Sequence, residues 1–174
     1  MENLVLVKPA IDYLDEIRSY RDEIVNNGGQ FNGDSGLENF NDIEEWIRQC
    51  RLLENKETIP IPNWVEAEQF MLVRENEKYI LGMINFRHNL NDYLAQFGGH
   101  IGYSVRPFER RKGYAKQMLK LCLEECRKQR LEKVLITCSV ENVASRKTIL
   151  ACGGVFDKNV NDNGEILERY FIFL

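Results

Sequence analysis

The chain has 174 residues, and this length favours one domain with one core, which we expect to span residues 1–174. Hydrophobic residues make up 44% of the sequence and charged residues 29%, a composition that excludes collagen-like, disordered and membrane-spanning classes. The formal net charge of −4 argues against a nucleic-acid-binding protein, because such proteins usually present a basic face.

The first half of the chain alternates strand and helix signals with polar connectors. The predicted elements are a strand at residues 3–8, a helix at 11–25, a glycine-rich mobile loop at 30–40, a helix from about 41, a proline-containing connector from 57, and a β-hairpin over 68–76 and 77–90. Asn41 or Asp42 can cap the second helix.

The second half is more regular. The predicted elements are a strand at residues 100–107, an amphipathic helix at 113–131, a buried strand at 132–140, a helix at 142–152 and a final hairpin at 155–174. Strands that alternate with helices in this way indicate neighbouring parallel strands under a covering layer of helices.

The five cysteines are odd in number and lie inside apolar segments without paired spacing. We therefore expect reduced thiols that fill the core, and no metal site: Cys50, Cys122, Cys126, Cys138 and Cys152. The start of the chain has no basic segment followed by a long apolar run, and no window approaches the roughly 20 apolar residues of a membrane span. A cytoplasmic location is expected.

Five cations surround Gly113 at the junction between the strand at 100–107 and the following helix: Arg106, Arg110, Arg111, Lys112 and Lys116. The amides at a helix N-terminus lack intrahelical partners and attract phosphate. Gly113 has no Cβ and Ala115 is small, so the backbone here can approach a bulky anion. A solvated basic turn is the alternative explanation, and neither a Walker loop nor a dinucleotide fingerprint is present.

The spacing around Gly113 is specific. The pattern Val105-x-Pro107-x-x-Arg110-x-x-Gly113-x-Ala115 resembles V-x-P-x-x-[QR]-x-x-G-x-[GA], the pyrophosphate-binding loop of the GNAT superfamily of acyl-CoA-dependent N-acyltransferases. The strand that follows the helix, the helix-opening Asn142 and the later Gly153 continue the likeness, which covers about residues 72–174. It implies an α/β three-layer αβα sandwich, whose mixed, mostly antiparallel sheet contains a splayed parallel pair, strands 4 and 5.

The resemblance also implies which residues bind the acyl donor. The pantetheine arm would lie between strands 4 and 5, against the main chain of Tyr103, Ser104 and Val105. The pyrophosphate would rest mainly on main-chain amides of Arg110, Arg111, Lys112, Gly113, Tyr114, Ala115 and Lys116. Asn142 and Ser145 would lie near the amide or thiol end of the arm, although Asn142 alone is also explained as a helix cap.

The catalytic residues are less defined by the resemblance. Many family members place a tyrosine seven residues after the helix-opening Asn as the acid that protonates the thiolate, and this chain has Ile149 there. Ser145, Tyr103, Ser104 or a water would have to replace it. The candidate bases are His100, Glu141 and Glu68, with His88 no better placed; each is also explained as a solvated edge residue.

The function implied is direct transfer of an acetyl group from acetyl-CoA, without a metal, to a primary amine of a small molecule, peptide or protein. The loops at 30–36 and 59–64 lie where such enzymes bind acceptors, and the acidic residues Asp34, Glu66 or Glu68 would favour a cationic amine. Homodimers are common in such families. Two alternatives remain: a non-catalytic acyl-CoA-binding sensor module, and a nucleic-acid-binding protein that uses residues 110–116.

Overall fold

The computed structural model describes residues 3–174, which form seven strands and four α-helices. The strands are β1 Leu4–Val7, β2 Ala67–Arg74, β3 Ile80–Arg87, β4 Ile101–Val105, β5 Lys133–Ser139, β6 Val155–Asp162 and β7 Glu165–Phe173. The helices are α1 Leu14–Asn26, α2 Ile43–Leu53, α3 Tyr114–Lys128 and α4 Val143–Ala151. Short 3₁₀ turns at Ile11–Tyr13, Leu37–Asn39, Lys56–Thr58 and Pro107–Glu109, and a π-helical turn at Leu94–Gly98, lie between them.

The strands form two antiparallel sheets. The first has the order β1-β2-β3-β4, and the second has the order β5-β7-β6. In the first sheet Gly82 lies opposite Val105, and in the second Lys133 lies opposite Phe173. The predicted hairpin over residues 155–174 is present as β6 and β7, which meet at the Asn163-Gly164 turn, where both residues have positive φ.

The two sheets meet at one end of β4 and part along its length. The His100 N–H donates to the Leu135 carbonyl at 2.7 Å, and the Leu135 N–H donates to His100 Nδ1 at 2.9 Å. Beyond this point no main-chain hydrogen bond joins β4 to β5 in residues 3–174. The helix α3 connects the two strands, as a helical crossover connects parallel neighbours, and we call the unpaired gap between β4 and β5 the cleft.

Two apolar cores cover the two faces of the strands. One core packs the buried face of α3, including Met118, Leu119 and Cys122, against β3, β4 and β5. The other packs α1 and α2, with Ile17 and Trp46 fully buried, against β2 and β3. Burial of each such side chain contributes about 1.5–3 kcal/mol. Helices therefore cover both faces, and the predicted three-layer α/β fold is confirmed.

Several local predictions are refined by the structure. The glycine-rich loop at 30–40 is packed: Leu37 is fully buried, and the Trp46 Nε1–H donates to the Asp34 carbonyl at 2.8 Å. All five cysteines are free thiols; four are buried, and Cys152 is half-buried. In the described part of the chain no helix is long and apolar enough to cross a membrane.

Candidate functional site

The loop between β4 and α3 has the backbone geometry of an anion-binding turn. Gly113, the residue before α3, has φ +87° and ψ 0°, and Arg111 has φ +65°, which is uncommon for a residue with a side chain. Alternating left-handed residues turn successive N–H groups toward one side of the chain, where they can bind an anion. A Cβ added at Gly113 would meet no atom within 4 Å, so the space in front of the glycine is open.

Four of the five cations of this loop are exposed: Arg110, Arg111, Lys112 and Lys116. Two of them have protein partners, since Lys112 Nζ pairs with Glu109 at 2.9 Å and Arg110 Nε donates to the Val105 carbonyl at 3.2 Å. The exposed cations add a positive rim to the open space at the N-terminus of α3.

Arg106 is not part of this rim, contrary to its grouping with the loop cations. Its side chain is only 3% exposed and forms ion pairs with Glu16 and Glu23 of α1, the second at 2.7 Å. It also donates to the Ser19 hydroxyl at 2.7 Å and to the Ile80 carbonyl at 3.2 Å. Arg106 therefore ties α1 to β3 and β4, and removing one partner of such a buried pair typically costs about 3–5 kcal/mol.

The Tyr114 side chain lies apart from the loop, and the predicted role of its main-chain amide does not depend on the side chain. The ring is buried in the core beside α3, and its hydroxyl accepts a hydrogen bond from Arg74 Nη2 at 2.9 Å. Only the main chain of Tyr114 is therefore directed to the loop. Ala115, the next residue, is half-buried and adds no bulk there.

The main-chain N–H and C=O groups of β4 point alternately toward β3 and toward the cleft. The Arg106 N–H donates to the Leu81 carbonyl at 2.9 Å, so by the alternation of an antiparallel ladder Ser104 also faces β3, while Tyr103 and Val105 face the cleft. The Ser104 hydroxyl is buried against the Tyr20 hydroxyl at 3.0 Å. Ser104, predicted to contact the donor, is thus directed away from the cleft by both its main chain and its side chain.

The cleft is bordered by a hydroxyl pair that joins β4 to α4. The Tyr103 hydroxyl lies 2.8 Å from Ser145 Oγ, in the first turn of α4, and burial raises the pKa of the phenol. Asn142 Oδ1 accepts the Ser145 N–H at 3.0 Å, which confirms the helix cap. Ile149 is fully buried and packs against Gly154, and its side chain has no group that could donate a proton.

The other predicted catalytic residues lie elsewhere. His100 Nδ1 accepts the Leu135 N–H, and burial lowers the pKa of the ring, so the neutral ring carries its proton on Nε2 and has no free acceptor nitrogen. This geometry opposes the prediction of His100 as a base. Glu141 is exposed in the turn between β5 and α4, outside the lining of the cavity described next.

A cavity of about 450 Å³ lies on the α1–α2 side of the molecule, where both predicted acceptor loops meet. Its polar lining includes Asp34, Glu38, Asn85, Asn91 and Arg87. Its apolar and aromatic lining includes Phe31, Leu53, Trp64, Tyr93 and Leu94, of which Trp64 and Tyr93 are exposed at 43% and 55%. The volume is in the range of small-molecule sites.

The cavity is joined to the cleft through a contact between two glycines. A Cβ added at Gly33, which has φ +68° and lines the cavity, would lie 2.0 Å from the Gly102 carbonyl oxygen in β4. Gly102 directly precedes Tyr103. The wall of the cavity therefore rests on the strand that borders the cleft.

One carboxyl group of the cavity wall is buried. Asp34 Oδ1 accepts the Gly36 and Leu37 amides at 3.1 and 3.3 Å, whereas Oδ2 is buried without a hydrogen-bond partner in the described residues. Burial, together with the nearby charge of Glu38, raises the pKa of Asp34 to about 7. The Asp34 carboxyl thus provides a proton acceptor that titrates near neutral pH.

Glu66 and Glu68, the other acidic residues predicted for acceptor binding, do not line this cavity. Glu68 bonds to His88 Nε2 at 3.0 Å and pairs with Lys8 at 2.9 Å, and Glu66 lies 3.6 Å from His88 Nδ1. The hydrogen bond from His88 is the main cause that lowers the pKa of Glu68 to about 2. These residues form an ion-pair network.

Sequence reasoning missed Arg87, Glu38 and Tyr93, which the structure places in the cavity. One signal was available, because Arg87 ends a strand whose other residues, apart from Asn85, are apolar or glycine, and a cation is unusual there. Among residues 3–174 no group of three or more His, Cys, Asp or Glu side chains has the arrangement of a metal site.

Comparison with protein families identifies one match. The model of the acetyltransferase (GNAT) family matches residues 40–153, about two thirds of the chain, and it includes the loop at Gly113 and the cap at Asn142. A search of curated proteins finds no match.

Solved structures with the same fold cover nearly the whole chain. The microcin self-immunity acetyltransferase MccE, in complex with acetyl-CoA and AMP, has a TM-score of 0.72 at 19% identity, over 100% of this chain and 94% of its own. The ribosomal-protein-S5-alanine acetyltransferase from Vibrio fischeri has a TM-score of 0.73 at 16% identity, over 99% and 94%. A Salmonella typhimurium acetyltransferase that modifies the N-terminal serine of a 50S ribosomal protein has a TM-score of 0.69 at 15% identity, over 99% and 95%.

The family model, the parted strands and the left-handed glycine at the start of α3 agree with one another. The chain belongs to the GNAT family of acetyltransferases.

Proposed function

We propose that the protein is an N-acetyltransferase that moves an acetyl group from acetyl-CoA directly to a primary amine of a small molecule, peptide or protein. The observation that carries this proposal is the arrangement of three features along β4: the open turn at Gly113, the cleft toward β5, and the cavity whose lining residue Gly33 contacts Gly102. The first two fit the donor, and the third offers a place for the amine.

The residues of the cleft fit an acyl-CoA. The turn from Arg110 to Lys116 binds the pyrophosphate through main-chain amides, with the exposed cations adding attraction. The main chain of Tyr103 and Val105 pairs with the extended pantetheine arm in the manner of an added strand. Asn142, whose Oδ1 caps α4, has its amide group at the end of the cleft near Ser145.

The chemistry then requires the amine nitrogen to lose two protons and the sulfur to gain one. A primary amine is largely protonated at neutral pH and must lose a proton before its nitrogen can attack the thioester carbon. We assign this proton to the carboxyl groups that line the cavity, Asp34 and Glu38. As the carbon–nitrogen bond forms and the carbon–sulfur bond breaks, the Tyr103–Ser145 hydroxyl pair gives a proton to the sulfur, and the second amine proton leaves the nitrogen and restores the pair.

The Tyr103 phenol replaces the tyrosine that many family members carry at the position of Ile149. Its raised pKa keeps it protonated at neutral pH, as a donor must be. This placement favours an active enzyme over the alternative of a non-catalytic acyl-CoA-binding sensor, which would need no proton donor in the cleft.

The donor turn is tested by Gly113→Val, with Gly164→Val as its matched control. Both glycines have positive φ and open space around an added Cβ, but Gly164 lies in the distant β6–β7 turn. We expect coenzyme A to raise the melting temperature of the unaltered protein and of Gly164→Val, and to have little effect on Gly113→Val. The lost amide contacts should weaken coenzyme A binding about 10- to 100-fold.

Equal coenzyme A affinity in the two variants would contradict the assigned donor site. A second measurement, release of free thiol from acetyl-CoA across a panel of amines, separates enzyme from sensor. If the protein binds coenzyme A but releases no thiol from acetyl-CoA with any amine of the panel, the sensor is favoured.

A further inference from the structure

Arg87 is a cation without an anionic partner in the cavity wall. The residue ends β3 and is half-buried, and its Nη1 donates to the Gly98 and Gly99 carbonyls at 3.4 and 3.1 Å. No carboxylate in residues 3–174 forms an ion pair with its guanidinium, although Asp34 and Glu38 line the same cavity. Burial lowers the pKa of Arg87, because the desolvated charge is not balanced.

A buried charge without a counter-charge is costly, and natural proteins normally pair it. Arg169, which contacts the same π-helical turn, is an arginine of this chain that has a carboxylate partner. It donates to the Ala95 and Gln96 carbonyls of the same π-helical turn at 2.6 and 3.0 Å, and it is neutralised by Asp157 at 3.0 Å. Both arginines support the turn, but only Arg87 faces the cavity and keeps its charge unpaired.

The position of Arg87 relates it to the transfer site. Its Nη2 lies 3.9 Å from the place of a Cβ at Gly102, the β4 residue beside Tyr103. A group bound to this guanidinium would therefore lie next to the strand that borders the cleft. Arginine binds carboxylates with two parallel hydrogen bonds, so the site would also orient the bound molecule.

We propose that Arg87 binds a carboxylate of the acceptor, and that the acceptor is therefore a primary amine with a carboxylate close to its amino group. This inference rests on the proposed acetyl transfer for its chemistry. The carboxylate can belong to a free amino acid or to an acidic side chain near a peptide N-terminus. In both cases the opposite charges of the acceptor match the Arg87 cation and the Asp34 and Glu38 carboxyls of one cavity.

The test compares acceptors that differ only in charge. Phenylalanine and phenylalaninamide represent the free amino acid, and alanyl-glutamate amide and alanyl-glutamine amide represent the peptide terminus. Binding of each is measured by calorimetry on protein saturated with coenzyme A, so the readout does not require turnover. Thiol release from acetyl-CoA is measured in parallel as kcat/KM.

We expect the unaltered protein to prefer the charged member of at least one pair by about 10- to 100-fold, the value of a charge-assisted hydrogen bond. Arg87→Met should abolish this preference, and Arg87→Lys should keep part of it. Arg169→Met, which weakens the same turn, should leave the ratio within a pair unchanged.

Equal binding of the charged and neutral members by the unaltered protein would overturn the proposal, and so would a preference that survives in Arg87→Met. If Arg87→Met fails to fold, the ratio of affinities for the charged and neutral members of each pair, measured in Arg87→Lys and in the unaltered protein, still tests the proposal. A failure of acetyl transfer would appear differently, as absent thiol release with every amine while the binding ratio remains measurable.

Discussion

The contact between Gly33 and Gly102 gives a sharp test of how the cavity is attached to β4. In Gly33→Ala the new Cβ would lie 2.0 Å from the Gly102 oxygen, 2.2 Å from its carbon and 2.5 Å from the Tyr103 nitrogen. All three atoms are backbone, so no side chain can move aside. Ordinary contact requires the loop and β4 to separate by about 1.4 Å.

Two costs add in this variant. A left-handed conformation costs a residue with a Cβ about 1–2 kcal/mol, and forcing packed groups apart typically costs about 1–3 kcal/mol. We therefore expect the free energy of unfolding to fall by about 2–5 kcal/mol. The separation should also displace the cavity wall, so the KM for the amine should rise while coenzyme A affinity is retained.

Gly28→Ala is the matched control, because Gly28 also has a positive φ, +60°, but an added Cβ there meets nothing within 4 Å. Gly28→Ala should lower the free energy of unfolding only by the cost of the left-handed backbone, about 1–2 kcal/mol. Denaturant unfolding of the two variants beside the unaltered protein measures the difference. If Gly33→Ala destabilises the protein no more than Gly28→Ala, the close backbone contact does not exist as described.

Two further predictions concern single side chains. Tyr103→Phe removes the hydroxyl beside Ser145, so kcat for thiol release at saturating acetyl-CoA should fall about 100-fold with coenzyme A affinity unchanged, and an unaltered kcat would exclude the phenol as proton donor. Glu68 has a pKa lowered to about 2 in the folded state, so its stabilising contribution is complete above the unfolded pKa of roughly 4.3 and is lost as the pH falls toward 2. After allowance for solvent screening we expect Glu68→Gln to cost about 1–2 kcal/mol at pH 7 and almost nothing near pH 2, and a cost that is independent of pH would contradict the His88 interaction.

Much of the fold could be predicted from the sequence, because the patterns that predict helices and turns are local. The apolar stripe of α3, the Asn163-Gly164 turn and the spacing from Val105 to Ala115 each depend on residues near one another in the chain. A helix stripe or a turn dipeptide has few alternative structures, and the helix, the turn and the family are confirmed, whereas pyrophosphate binding by the loop stays a prediction. The helix cap at Asn142 is also a local feature, because its partner Ser145 lies three residues later in the chain.

The side-chain environments were not predictable because they depend on distant partners. Arg106 has the same local sequence context as the exposed cations after it, yet Glu16 and Glu23 lie more than 80 residues earlier. Ser104 turns from the cleft because of Tyr20 on α1. His100 is held by Leu135, on the far side of the cleft. Only the folded chain brings these pairs together.

The cavity lined by Asp34 and Arg87 was also not predictable from the sequence. Its lining combines the loop at 31–39, residues around Trp64, the end of β3 and the π-helical turn near Tyr93. Each segment was identified as a loop or strand, but no spacing in the sequence shows that they meet. The sequence marks Arg87 only as an unusual cation at the end of a strand, and the lack of a counter-charge is seen only in three dimensions.

The parted strands β4 and β5 leave bare strand edges inside the protein. Bare edges are templates for extended chains, and most proteins avoid them because they promote self-association. Here the two edges face each other across the cleft, and the Tyr103–Ser145 hydroxyl pair joins β4 to α4 beside it. The unpaired edges are thus turned toward the interior of one molecule and not toward a neighbouring one.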